Sequence, residues 1–355
     1  MKRKLSKGMV VWAVIIAVLC CSSGVLSGLV VEGVVNNPFR TLRSNPGINT
    51  EGTPPPLDAD QPEGPPVTPP ISIGTGNSIT IDGKDYTFKK GIVNILCLGV
   101  DVGDTGQEVR TEQGNGYNSD AMVLVVVDMN AKTIKMVNLP RDTYAEIPLM
   151  DDYGNITGRK MGKLNSAYSQ GRGKEKYSYA NAVRAVSTLF YDIEIPYYVG
   201  IDMGTVGALA TAVGGVPMNL DINMARFGWR RGQDVTLKGH SALEYIRLRK
   251  GVGMDGSDIS RVKRQMRFIR AFAKQAQSLG LTKLVTDVLP TINKTLDYNM
   301  GLTEMLQMAR VAQGVDFDNS PMVMLEGAPT NDGNYWKPNQ DHITQLFIDL
   351  WLDPA

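Results

Sequence analysis

The sequence predicts an α/β (mixed α+β) fold: a central mixed β-sheet flanked by helices, preceded by one N-terminal transmembrane helix and a linker. Three observations lead there. "IVNILCLGV" (92–100) is a continuous apolar run of strand length, as expected of a strand covered on both faces. Further strand-like runs are interspersed with segments of helical apolar spacing, the pattern of helices packed on a sheet. The first 35 residues have the composition of a membrane segment and not of a globular core.

In chain order, Lys2, Arg3, Lys4 and Lys7 precede an uncharged run from Gly8 to Val31, closed by Glu32. That run is long enough to cross a bilayer, and the leading positive charge predicts a cytoplasmic N-terminus with everything after about residue 35 outside. The competing reading is a cleaved signal peptide, with Ser22, Ser23, Gly24 and Ser27 near the cleavage site. Cys20 and Cys21 fall within the span, which leaves Cys97 alone in the exported part and excludes an internal disulfide there. Residues 36–75 hold ten of the 19 prolines, including "TPPPLDADQPEGPPVTPP", and are expected to be an extended linker with a reach of up to about 100 Å.

The globular part is expected over 76–355. "SITIDGKDYTF" reads as a hairpin turning at Asp82-Gly83. After the 92–100 strand, "AMVLVVVDMNAKTIKMVNL" reads as strand, turn near Asn130, strand. "SYANAVRAVSTLFYDI" has helical spacing, "PYYVGI" is strand-like, and "MGTVGALATAVGG" is a small-residue helix ending at Gly214-Gly215. "GHSALEYIRLRK" and "DISRVKRQMRFIRAFAKQAQSLG" are helices; in the second, Ile259, Val262, Met266, Ile269 and Ala273 form the apolar stripe. The C-terminal stretch from Met322 reads as strand, loop and amphipathic helix.

Several charged residues fall at predicted strand ends. Asp101 ends the first buried strand, Asp120 opens the next, and Arg141-Asp142 in "NLPRDTYAEIP" ends the third. Neighbouring strands bring their ends to one edge, where two carboxylates suit a hard cation such as Mg²⁺ (or Mn²⁺). Singly, each aspartate also fits a turn cap. Arg247 and Arg249 lie two apart, so a regular helix would splay them about 200°, whereas unwinding would let them face one way. Asp258, Arg261 and Gln265 stack beside the apolar stripe, and arginine suits bidentate phosphate binding. Several arginines and two carboxylates around one strand edge describe a metal-assisted diphosphate site, since phosphoryl transfer depends mainly on positioning and charge neutralisation.

The pieces "NILCLGVD", "SDAMVLVVVD", "NLPRDTYAEIP", "KLNSAYSQG", "GGVPMNL", "SALEYIRLRK" and "DISRVKRQMRF", in that order within 92–270, resemble the LytR–CpsA–Psr cell-wall glycopolymer transferases. The resemblance implies a single-pass membrane enzyme whose catalytic domain faces outward from a Gram-positive-type cell. Its substrate would be a glycopolymer, such as teichoic acid or capsule, on a polyprenyl-diphosphate carrier, with peptidoglycan as acceptor. By that likeness Asp101 and Asp120 would hold Mg²⁺. Arg141, Arg247, Arg249, Arg261 and Gln265 would bind the diphosphate, Lys163 would support the site, and Asp142 would orient Arg141 or, like Asp101, serve as the base. Asn118 stands where the family commonly has arginine, and the loop from Asp101 to Asp120 is long; Arg110 is a candidate replacement. A hydrolase at the same site and a non-enzymatic lipid-diphosphate-binding regulator are the rival readings.

Other classes find less support. The formal charge of +1 gives no global field toward nucleic acid, and no nucleic-acid partner is expected. His240, His342 and one exported cysteine cannot form a typical zinc site. "RFGWRRG" (226–232) reads as a solvated loop or a contact with anionic glycan or lipid headgroups.

Overall fold

The computed structural model describes residues 71–73, 78–100, 118–151, 153–171, 175–202, 205–248, 258–279, 283, 287–288, 290–291, 296–315 and 322–355. The expected anchor and almost all of the expected linker lie outside the described residues. Among the described residues no helix is long and apolar enough to cross a membrane.

The centre is a six-stranded mixed sheet. It contains β4 (Ile92–Val100), β5 (Ser119–Asp128), β6 (Thr133–Leu139), β9 (Tyr197–Asp202), β12 (Leu296–Tyr298) and β13 (Met322–Met324), in the order β12-β9-β4-β5-β6-β13. β4 is central and buried along its whole length, which explains its apolar run, interrupted by Asn94, whose side chain is hydrogen-bonded to Glu194 O and Trp351 Nε1. Its alternate residues feed two cores. Val93, Ile95 and Cys97 face α3 (Thr205–Ala212), α4 (Gly239–Arg247) and α5 (Asp258–Ser278). Leu96, Leu98 and Val100 face α2 (Glu175–Leu189) and α7 (Gln340–Trp351). The fold is therefore a sheet between two helical layers.

A smaller sheet joins β1 (Ile71–Ile73), β2 (Ser78–Ile81), β3 (Lys84–Phe88) and β16 (Leu352–Pro354). The hairpin between β2 and β3 turns at Asp82 and Gly83 with φ of 49° and 76°; both residues are left-handed, as a two-residue type I′ turn requires. α7 is capped by Asn339, whose side chain accepts from the Asp341 and His342 amides. It buries Trp351, whose indole donates to Asn94 Oδ1 at 2.9 Å in the heart of the domain.

Pairing registers fix what meets at one edge. Val100 at the end of β4 lies opposite both Ser119 of β5 and Asp202 of β9, and Met122 lies opposite Leu139 at the end of β6. The ends of β4, β6 and β9 and the start of β5 thus share an edge. The third-strand turn, Pro140 to Thr143, emerges there. Two further elements complete it: the antiparallel ribbon of β7 (Tyr144–Met150) and β8 (Ile156–Lys163), and the single turn α1 (Ser166–Ser169).

Candidate active site

Arg141 and Asp142 occupy a turn locked from several directions. Thr143 closes it, donating both its amide (3.0 Å) and its hydroxyl (2.6 Å) to the Pro140 carbonyl. The Arg141 carbonyl accepts from the Asn165 amide at 3.1 Å, and the Asp142 carbonyl from the Trp336 amide at 2.8 Å. With its backbone groups committed, the turn can move its side chains but not its position. The register Tyr144↔Lys163 returns β8 beside it, and that brings Lys163 to the charge pair.

Asp142 bridges two cations. Its Oδ1 accepts from Lys163 Nζ at 2.9 Å, and its Oδ2 lies 3.6 Å from Arg141 Nε, an ion-pair distance. The Lys163 ammonium sits 5.9 Å from the centroid of the Tyr335 ring. Together with Asn118, Lys160, Asn165 and Ser166 these residues line a polar cleft of about 550 Å³. Arg141, Lys160 and Lys163 outnumber the one aspartate in this cleft, so it suits an anion of small-molecule size. Two charged neighbours, Glu146 and Arg159, pair with each other along the ribbon at 2.8 Å and do not join the cleft.

The remaining sequence-predicted residues distribute as follows. Asp120 is the second residue of β5, at the shared edge; its side chain, like those of Arg261 and Gln265 on α5, lies outside the described set. Asp101, which follows Val100, and Arg249 are outside the described residues. Arg247 is exposed at the end of α4 and lines a second depression, of about 390 Å³, with Arg226, His240, Leu243, Glu244 and Leu248, rather than the Arg141 cleft. There Glu244 lies 3.7 Å from Arg226 and 3.4 Å from His240. α4 stops at Arg247, and Leu248 leaves helical geometry with φ −58° and ψ 126°, so the helix ends between the two arginines; the side to which Arg249 turns lies outside the described residues.

Two expectations are refined. The apolar stripe of α5 holds at Ile269 and Ala273, but Phe268, Phe272, Ala276 and the charged Arg264 are buried on the same helix. A guanidinium at 1% exposure inside that face was not readable from a periodicity built on apolar residues. Cys97 is fully buried, and burial pushes its thiol well above the ordinary range, as expected of a small hydrophobe in a central strand. Sequence reasoning missed Tyr335, which follows Asp142 by almost two hundred residues with only a turn-like "NDGN" before it. It also passed over Asn165, which lay inside the quoted "KLNSAYSQG" without a role of its own.

Among the described residues no three His, Cys, Asp or Glu side chains group as a metal site. A Mg²⁺-type ion, which keeps waters and bridges phosphate oxygens, needs only one or two carboxylates. The register Val100↔Ser119 sets the backbones just before Asp101 and Asp120 side by side; the two carboxylates themselves lie outside the described set.

The chain is similar to known proteins in sequence and in fold. TagU of Oceanobacillus iheyensis, a polyisoprenyl-teichoic acid–peptidoglycan teichoic acid transferase, is 30% identical over 249 residues, covering 70% of this chain and 71% of that protein. TagV of Bacillus subtilis, which carries the same transferase name, is 24% identical over 288 residues, 78% of this chain and 68% of that one. The crystal structure of Bacillus subtilis TagV superposes with a TM-score of 0.56 at 23% identity, covering 74% of this chain and 96% of that one, which establishes a common fold. The sequence profile of the LytR_cpsA_psr family matches residues 73–350, spanning the sheet, both helical layers and the Arg141 turn; the chain belongs to the LytR_cpsA_psr family.

Proposed function

We propose that this protein transfers a glycopolymer, teichoic acid or a similar polymer, from a polyprenyl-diphosphate carrier to peptidoglycan. The observation that carries the reading is the cation-rich cleft at the sheet edge, where Asp142 holds Arg141 and Lys163 side by side. The transferase names of the TagU and TagV relatives support it.

In this mechanism a peptidoglycan hydroxyl attacks the phosphorus nearer the sugar. A new P–O bond forms, the bond to the bridging oxygen breaks, and polyprenyl phosphate leaves, so the polymer is joined through a phosphodiester. Arg141 offsets charge on the phosphoryl oxygens; Lys163 supports it and stabilises the shared carboxylate. By the family likeness Arg249, Arg261 and Gln265, together with Arg247 from its separate depression, would complete the diphosphate contacts. Asp142 orients Arg141 and, with Asp101, is a candidate to accept the hydroxyl proton. Asp101 and Asp120 would hold Mg²⁺ (or Mn²⁺), which when bound neutralises diphosphate charge. The Gly8–Val31 segment would anchor the enzyme in the membrane with the catalytic domain outside.

The test is reconstitution of the full chain in vesicles with radiolabelled lipid-linked polymer, with and without peptidoglycan. Label should move to peptidoglycan, fall sharply in Arg141→Ala, and respond to chelation and Mg²⁺ re-addition. Release of label without an acceptor would replace transfer with hydrolysis. Binding without turnover would leave a regulator.

A further inference from the structure

Leu248 follows Arg247 at the end of α4. A continued helix would have kept its carbonyl in the helical ladder. Instead Leu248 turns out of the helix, its amide still donating to Glu244 O at 2.9 Å while its carbonyl leaves the helical ladder. That carbonyl accepts from Arg264 Nη1 at 2.6 Å.

Arg264 is among the largest fully buried side chains of the domain. Its Nε lies 3.8 Å from Asp221 Oδ2. Asp221 also accepts from the Tyr245 hydroxyl at 2.7 Å and pairs with Arg267 at 3.5 Å; burial and the Asp221 carboxylate raise the Tyr245 hydroxyl above its ordinary range. Arg267 in turn donates to the Asn219 carbonyl at 2.9 Å. One network therefore ties α5, the end of α4 and the segment after β10 (Val216–Asn219). A buried ion is an inefficient way to gain stability, because desolvation offsets its attractions, and its best use is to select one geometry. Here the selected geometry is the unwound turn at Leu248.

We propose that Arg264 is a positioning residue that clamps the Leu248 carbonyl and so presents Arg247 for anion binding. The anion assignment rests on the function proposed above; the clamp does not. Two readouts on the full chain in detergent separate them. The first is limited trypsin digestion. Arg264→Met should speed cleavage after Arg247 by about tenfold through local opening, with cleavage after Arg230 and Arg231 unchanged. Arg264→Lys, which keeps a donor, should restore part of the protection. The second is calorimetric titration with inorganic diphosphate. Arg264→Met should weaken binding about tenfold, and adding Arg247→Ala should cost clearly less than it does in the parent chain.

Unchanged cleavage after Arg247, or full additivity of the two substitutions, overturns the proposal. If Arg264→Met does not fold, Asp221→Asn and Tyr245→Phe loosen the same anchor; unaltered cleavage in both overturns it equally. If the parent binds no diphosphate yet cleavage accelerates locally, the clamp stands and the diphosphate reading of Arg247 falls.

Discussion

Replacing Asp142 with alanine should leave the fold nearly intact and strongly reduce transfer. Bare attraction between unit charges about 4 Å apart near a protein surface is roughly 4 kcal/mol. Asp142 and Lys163 are, however, 37% and 40% exposed, so water and lost side-chain freedom reduce the net contribution of these pairs to about 1 kcal/mol at most. The backbone of the turn is held by Thr143, Asn165 and Trp336 and does not depend on the carboxylate. Urea unfolding should therefore shift by no more than about 1 kcal/mol with an unchanged m-value. Arg141, no longer steered at Nε, should lose its alignment, and transfer of labelled polymer should fall on the order of 100-fold. Anion binding should persist, because both cations remain. Asp142→Asn keeps an acceptor for Lys163 and should recover part of the rate if orientation is the role, and none if Asp142 is the base. A stability loss near 3 kcal/mol, or transfer within about twofold of the parent, would refute this reasoning.

Three other perturbations probe the scaffold. Trp351→Phe removes the donor to Asn94 Oδ1 in a fully buried pair and should cost roughly 1–3 kcal/mol in urea unfolding. A Cβ at Gly200 would collide with the hydroxyl and ring of Tyr179, which stacks on Tyr198 at 4.5 Å and donates to Asp297 at 3.0 Å. Gly200→Ala should therefore destabilise by about 1–3 kcal/mol through overpacking, visible as a lower midpoint at constant m. In a Cys20→Ser/Cys21→Ser background, Cys97 should resist a thiol reagent until the chain unfolds. Its thiol pKa is raised by burial in the native state, so stability should be flat below its unfolded value near 9.0 and fall as pH rises beyond it. Fast native-state labelling, or stability that rises between pH 9 and 10, would contradict the buried placement.

Local chemistry was enough for the core strands and the longer helices, though not for the β7–β8 ribbon, which was not read as strand in the sequence. The 92–100 run had to be a central strand because no half-exposed strand tolerates nine consecutive buried positions. Asp82-Gly83 had to turn because both residues accept positive φ. The Arg141-Asp142 pair was legible as a strand-end feature because β6 announces itself by its own apolar pattern. Arg264 was not legible: a cation on an amphipathic helix reads as solvated unless the partner that buries it is known.

By itself, then, the sequence determined the core strands and the longer helices, since periodicity and turn residues act over a few positions, and it identified the motif order of the family. Only the tertiary structure decided which charges meet. Lys163 reaches Asp142 through a ribbon register, Tyr335 arrives from the far end of the chain, and Arg264 closes on Leu248 across two helices. Ion pairs and hydrogen bonds depend on distances of a few ångströms between residues remote in sequence, and packing alone sets those distances.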